Sequence, residues 1–277
     1  MIGKKIPVLD KGFVRVLDYM GDDGAIVQAA RVSYGKGTKS VSEDAALIRY
    51  LMRHMHTTPF EMCELKLHIK LPIFVARQWV RHRTANINEY SARYSVLERE
   101  FYVPAPRDVA QQSASNRQGR GGVAAPKLAE SVRRRMVKDA EQAFDTYESL
   151  LDETKPTQGV SRELARIGLP LSTYTEWYWK IDLHNLFHFL RLRADEHAQL
   201  ELRKYAIEIL RIVEKWVPAA FDAFLEYQMY GGHLSRSAIR TISELARGKK
   251  ISYAASGLSR REWDELVKMF SLESRSG

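Results

Sequence analysis

The firmest pattern in the chain lies between Cys63 and Leu71. Cys63, Leu65, Leu67, Ile69 and Leu71 alternate with Glu64, Lys66, His68 and Lys70. A period of two specifies a strand with one buried and one polar face. Phe13 to Tyr19 alternates more weakly and predicts an earlier strand, and Leu169 to Ile181 predicts a later one rich in Thr and aromatics. Its Tyr174, Trp177, Tyr178 and Trp179 suit a sheet and core better than a base-stacking platform. Elsewhere the period is helical. Apolar residues stripe one face at Leu47, Leu51 and Met55, then at Ile73, Ala76 and Val80, and then at Val132, Met136, Ala140, Ala143, Tyr147 and Leu150. A short helix is expected over about 160–167. Leu186, Leu190, Arg193 and His197 share one face of a further helix, and Ala198 to Val217 continues as helix before Pro218 starts another that ends at Gly231-Gly232.

Punctuation supports these elements. Asp22 and Asp23 cap a helix running to about Ser33. After a turn at Gly35 to Lys39, Ser40 with Glu43 fits a capping box. Pro59 stops the helix before it, and Pro72 suits the first turn of the next. Pro104 to Lys127 is poor in large apolar groups and is expected to be a mobile loop. Beyond residue 230 a C-terminal extension carries one short helix. Ser259 and Glu262 form its capping box, and Trp263, Leu266, Val267 and Phe270 form its docking face.

Composition narrows the class. The 277 residues suffice for one large domain with a sizeable core, and 45% hydrophobic with 28% charged content suits a soluble globular protein. No apolar run approaches the roughly 18 residues of a membrane span, and no secretory h-region follows Met1, so no membrane role is expected. With one cysteine, Cys63, no internal disulfide forms, and a cytoplasmic setting is expected. Cys63 sits on the apolar strand face, as a core residue would. A net charge of +9 points to anionic partners, either nucleic acid or small phosphorylated molecules.

The candidate chemistry is concentrated in Arg81 to Ser95, with three arginines, a histidine, two asparagines and a glutamate. So many charged groups do not suit a core segment. Arg81 and Arg83 offer planar forks for phosphate, and Glu89 and Ser91 suit the polar edge of a base or sugar. A binding loop for a phosphorylated, ring-bearing small molecule follows. Ser91 has no evident His-Asp partner nearby in sequence and is read as a placement residue, not a nucleophile. A second polar cluster spans Asp182 to Glu201, where Arg193 and His197 interrupt an apolar stripe and are expected to line a cavity. His184 and His188 are four apart, but Arg191 and Arg193 would repel a cation and no HExxH pattern is present, so no metal site is expected.

These motifs carry a resemblance. His54 to Glu61, Pro72 to Trp79, Arg81 to Ser91, Ala165-Arg166 with Leu169-Pro170, and Leu192 to Gln199 occur in the order found in flavin-dependent thymidylate synthases. The resemblance covers about 23–230. It implies an α+β fold with a mixed, mainly antiparallel sheet flanked by helices, a long central helix pair and a C-terminal helical extension. It assigns 1–230 to the synthase domain and leaves 231–277 as the extension. The implied reaction is reductive methylation of dUMP to dTMP, with 5,10-methylenetetrahydrofolate as carbon donor, FAD as hydride carrier and NADPH as reductant. The implied dUMP set is Gln78, Arg81, Glu89, Tyr90, Ser91, Ala92, Arg93, Arg166 and Arg193, with Arg193 as the catalytic cation against the uracil. The implied FAD set is His56, Thr58, Arg81, His82, Arg83, Glu89, Asp182, His184, His188 and His197. Asp182, His184 and His188 depart from the Asn, Arg and Asn of some members. A homotetramer is likewise implied. Arginines mixed with Glu, Asn and Ser disfavour the nucleic-acid alternative, which would favour unmixed basic stripes. Joint retention of Arg81, Ser91, Arg93, Arg193 and His197 disfavours a catalytically dead nucleotide binder.

Overall fold

The computed structural model describes residues 2–32, 41–114, 119–151 and 159–272. Its strands are β1 (Lys5–Val8), β2 (Gly12–Met20), β3 (Glu64–Pro72), β4 (Asn86–Glu89), β5 (Ala110–Gln112), β6 (Arg120–Val123) and β7 (Tyr174–Asp182). Its α-helices are α1 (Asp23–Arg31), α2 (Val41–Arg53), α3 (Thr58–Glu61), α4 (Ile73–Trp79), α5 (Pro126–Leu151), α6 (Arg162–Ala165), α7 (Leu183–Arg193), α8 (Leu200–Trp216), α9 (Pro218–Phe224), α10 (Arg236–Ala246), α11 (Tyr253–Ser256) and α12 (Arg260–Met269). The chain divides into two compact units, 1–223 and 224–277, so the division falls slightly before the boundary expected at 230.

The larger unit is built on a five-stranded sheet in the order β1-β2-β3-β7-β4, antiparallel at every described pairing. The alternation of β3 places Leu65, Leu67, Ile69 and Leu71 at zero exposure. They register against Ile181, Trp179, Trp177 and Thr175 of β7. On the opposite face of β3, His68 stands between Arg15 and Glu176, each at 2.6 Å. Lys70 pairs with Glu100 there. His68 and Lys70 on that face are therefore partnered, and the buried face of β3 carries no charged side chain.

Helices cover the apolar face. α8 packs on α4, α7, β1 and β2, and its Tyr205 hydroxyl donates to the Lys70 carbonyl at 2.6 Å. The close approach needs Gly12, because a Cβ there would meet the Tyr205 oxygen at 2.0 Å. The other long helix, α5, serves a separate cluster with Phe101, Ala140, Phe144, Tyr147, Leu151 and Ala165. Its buried stripe runs through 140, 144, 147 and 151, whereas Met136 and Leu150 of the expected stripe are exposed. Met55 is also exposed, because the chain leaves α2 after Arg53 and takes a positive φ of 59° at Met55.

At the centre of the covered face sits Trp79, the last residue of α4. Its ring meets Trp177 at 5.7 Å, Trp179 at 5.2 Å, Phe189 at 4.8 Å and Tyr205 at 5.9 Å between centroids. It thereby joins the sheet, α7 and α8.

Several expectations change. The loop expected over 104–127 contains a 3-10 turn, Pro106–Asp108, and the hairpin β5–β6. Polar ties hold it: Arg120 pairs with Glu201, and Lys204 with Asp108 at 2.6 Å. The helix expected over 160–167 is one short turn, α6, followed by a 3-10 turn, and β7 begins at Tyr174, not at 169. The capping box proposed at Ser40 and Glu43, with the turn before it, lies outside the described residues. Among its described residues the smaller unit holds three α-helices in its tail, not one, packed around Ala238, Leu258 and Leu266. Of the second capping box, the Ser259 half forms, with Oγ accepting from the Glu262 amide at 3.3 Å. The Glu262 side chain turns instead to the Ser235 hydroxyl. Among the described residues no helix is long and apolar enough to cross a membrane.

Replacing Trp79 by Ala removes the group that four aromatic rings pack against. The expected loss is about 3–5 kcal/mol in denaturant unfolding. A loss below about 1 kcal/mol would show that this contact is not central to the fold.

Candidate active site

β4 lies at the sheet edge beside β7, with Asn86 opposite Lys180 and Glu89 opposite Trp177. The expected binding loop thus contains a strand. Its polar residues stay exposed while the backbone pairs. Beyond Glu89, Tyr90 donates its amide to the Glu176 carbonyl at 2.8 Å. The Ser91 carbonyl then accepts from the Tyr94 and Ser95 amides at 3.1 and 3.2 Å, which closes a tight turn.

This turn and the α6 region enclose a cavity of about 680 Å³. Glu89, Tyr90, Ser91 and Ala92 line it from the turn, and Glu163, Arg166, Ile167 and Leu169 from the other segment, with Ile73, Leu97 and Thr175 completing it. Its volume falls in the range of small-molecule sites. The Thr175 hydroxyl donates to Glu89 Oε1 at 2.7 Å and orients that carboxylate. Arg93 reaches across to Glu163 at 2.8 Å, and both side chains are more than half exposed. Glu163 and Thr175 were not assigned from the sequence. Glu163 stands three residues from Arg166, a helical neighbour spacing that could have flagged it. Thr175 lies two positions along β7 from Trp177, the partner of Glu89, so its contact is a diagonal one that only the register reveals.

A second group forms where α4 and α7 end. Arg81, His82 and Arg83 leave α4 directly after Trp79 and Val80, and the His82 amide donates to the Trp79 carbonyl at 3.0 Å. From α7, Arg193 donates its Nε–H to His82 Nε2 at 2.9 Å. The His82 ring stands edge-on to Phe189 at 5.0 Å and lies 5.7 Å from His188. Burial, then the Arg193 charge, then His188 push the His82 imidazole down to about 4, so it is neutral at physiological pH. His188 is lowered by burial and then by Arg191, His184 and Arg193. Arg193 is lowered by burial and then by the Arg81 charge. Several cations therefore converge, and each disfavours the next in its charged form. An anion bound there would relieve this.

The remaining expected residues are distributed as follows. Gln78 is exposed on α4. Asp182 caps α7, with Oδ1 accepting from the Asn185 amide at 2.9 Å and Oδ2 from its side-chain amide at 2.7 Å, so its first duty is local. His56 lies near-parallel to Tyr50 at 6.1 Å, and Thr58 opens α3, which packs on α7. His197 departs from its expected place. α7 ends at Arg193, so His197 is not on the helical face of Leu186, Leu190 and Arg193. It is 75% exposed and bonds Asp195 through Nδ1 at 2.9 Å. Among the described residues no cluster of three or more His, Cys, Asp or Glu side chains could hold a metal ion. Cys63 is remote in chemistry from both groups. Its thiol donates to the Asp22 carbonyl at 3.4 Å, and burial with the Asp22 and Asp23 charges pushes it up to about 12. It stays protonated, as a structural cysteine does.

The residues at the α4–α7 junction fit a flavin dinucleotide in kind. Guanidiniums suit a pyrophosphate, and a neutral imidazole and flat aromatic neighbours suit an uncharged ring system.

Comparison with known proteins follows the same direction. The family described as Thymidylate synthase complementing protein matches residues 15–219. A flavin-dependent thymidylate synthase of Ruegeria pomeroyi is 60% identical over 259 residues, which is 94% of this chain and 85% of that protein. One from Rickettsia conorii is 56% identical over 96% of this chain and 93% of its own. The crystal structure of the UMP/dUMP methylase PolB from Streptomyces cacaoi, bound with 5-Br dUMP, superposes with a TM-score of 0.71 at 33% identity. That alignment covers 79% of this chain and 97% of the other. With the family pattern spanning most of the chain and such identity over nearly all of it, the chain belongs to the flavin-dependent thymidylate synthase family.

Proposed function

We propose that this enzyme methylates dUMP to dTMP, taking the carbon from 5,10-methylenetetrahydrofolate and reducing equivalents from NADPH through FAD. The balanced reaction consumes dUMP, methylenetetrahydrofolate, NADPH and a proton, and yields dTMP, tetrahydrofolate and NADP⁺. The observation that carries the reading is the cavity in which Glu89, Tyr90, Ser91 and Ala92 face Arg166. A pocket of mixed polarity with an arginine at its wall suits a phosphorylated ring. An extended polyanion would call for an open basic stripe.

In this reading Arg166 and Arg93 receive the dUMP phosphate, and Ser91 places it by hydrogen bonding. Glu89, held by Thr175, accepts from the sugar or base. Gln78 and Arg81 complete the dUMP set. Arg193 faces the uracil. A fixed cation there favours the ring deprotonated at N3, which raises electron density at C5 and makes that carbon the nucleophile towards the one-carbon unit. No cysteine attack is needed, which agrees with the protonated, buried Cys63. Arg81, His82, Arg83, His184 and His188 would hold FAD, with His56, Thr58, Glu89, Asp182 and His197 contributing. The chemistry the cofactor supplies is the hydride that completes the methyl group. The active form is taken to be a cytoplasmic homotetramer, for which light scattering is expected to give a native mass four times the 31.9 kDa of the chain.

The deciding experiment strips the protein of flavin and follows dTMP formation from dUMP, methylenetetrahydrofolate and NADPH. Product is expected only when FAD is returned. Folded protein that binds dUMP but forms no dTMP in either arm would overturn the reading. Arg193→Ala is expected to keep fold and flavin while kcat falls about 100-fold or more, the scale of losing one transition-state electrostatic contact. Turnover at the wild-type level would remove Arg193 from the mechanism. Ser91→Ala is expected to raise the dUMP KM about tenfold with kcat largely kept, as loss of one phosphate hydrogen bond would do. Abolished turnover with intact dUMP binding would reopen covalent attack by Ser91.

A further inference from the structure

Arg193 is the last residue of α7, where the Ala194 amide makes the closing bond to the Leu190 carbonyl at 2.9 Å. An arginine at a helix end has many rotamers open to it, and ordering it costs entropy. A cation that acts on one atom of a ring needs a fixed plane, so something must restrict it. His82 is placed to do so. It comes from a different element, 111 residues away in sequence, and is itself held on three sides. Its amide is bonded to Trp79, its ring edge meets the fully buried Phe189, and His188 flanks it.

We propose that His82 is a positioning residue for Arg193: its Nε2 lone pair receives the Arg193 Nε–H and fixes the plane in which the two Nη groups meet the pyrimidine. This rests on the reading of Arg193 as the group facing the uracil. A guanidinium nitrogen only donates, so the bond requires the tautomer with its proton on Nδ1. The division of labour follows from the atoms. Nε is spent on His82, and both Nη groups remain for the substrate. The charged and titratable groups that bear on His82 are Arg193 and His188, both on α7, and both disfavour the imidazolium. Protonated His82 would lose the acceptor and repel Arg193. In the folded protein the bond therefore holds at neutral pH and is lost as pH falls through about 4. The unfolded imidazole takes up its proton near 6.5, so stability present above 6.5 is lost progressively down to about 4.

The test compares His82→Gln, whose Oε1 is an acceptor at similar reach, with His82→Leu, which fills similar volume without one. Flavin content, dUMP turnover and the pH dependence of unfolding are measured on the holoenzyme. His82→Leu is expected to lower kcat/KM for dUMP roughly 10–100-fold, the scale of a lost charge-assisted hydrogen bond. His82→Gln is expected to recover to within about fivefold of wild type. Both variants should flatten the fall in stability between pH 6.5 and 4. A glutamine variant as impaired as the leucine variant at equal flavin content would overturn the proposal. Should both variants lose flavin, neutron diffraction from the wild-type holoenzyme decides: deuterium on Nδ1 alone supports the bond, and deuterium on Nε2 refutes it. Arg193→Ala with normal turnover would instead sink the reading of Arg193.

Discussion

Trp79 ties the chemistry to the core. It is fully buried, and it ends α4 two residues before Arg81. The same ring stacks on Phe189, which lies beside His188 and one helical turn before Arg193. One aromatic contact therefore sets the distance between the ends of α4 and α7. A close-packed interior transmits a small displacement to the groups it carries. The positions of Arg81, His82 and Arg193 are in this sense properties of the core.

The two polar groups of the chain lie at opposite ends of β4. Arg81 to Arg83 precede it, and Glu89 to Ala92 follow it. Four extended residues span about 13 Å, roughly the length of a nucleotide and more than that of a base. The rigid edge strand serves as a spacer between the cationic junction and the cavity. It is rigid because β7, its partner, is also paired along its full length with β3. A four-residue strand with no buried side chain would not be ordered alone.

How far the sequence is legible depends on where each element finds its stabilisation. β3 was readable because its alternation is unbroken and matches a buried face. β4 reads Asn-Ile-Asn-Glu, all exposed, and is a strand only because β7 offers its backbone. The β5–β6 hairpin likewise has no apolar period. Its ties, Arg120 to Glu201 and Lys204 to Asp108, join residues 81 and 96 apart. The end of α7 was hidden because Ala194 to Gln199 does not forbid a helix. Asp195 ends it by local bonds, with its side chain accepting from the His197 amide at 2.8 Å and its carbonyl from the Ala198 amide at 3.0 Å. The same held for the site. Residue types and motif order pointed to a phosphorylated ring and a flavin, while the bonds from Arg193 to His82 and from Thr175 to Glu89 required the fold.

The pairs around the cavity differ in how firmly they hold. Glu89 is bonded by Thr175 on a strand of the central sheet, so its carboxylate has a fixed direction. Arg93 and Glu163 form an exposed ion pair, a kind that contributes only about 0–1 kcal/mol. A phosphate monoester carries nearly two charges and three acceptor oxygens, against one charge and two oxygens for Glu163. Exchange of Glu163 for such a dianion costs Arg93 little and gains a stronger partner. In the proposed reading, this difference in anchoring assigns recognition of the ring to fixed groups and of the phosphate to a movable one.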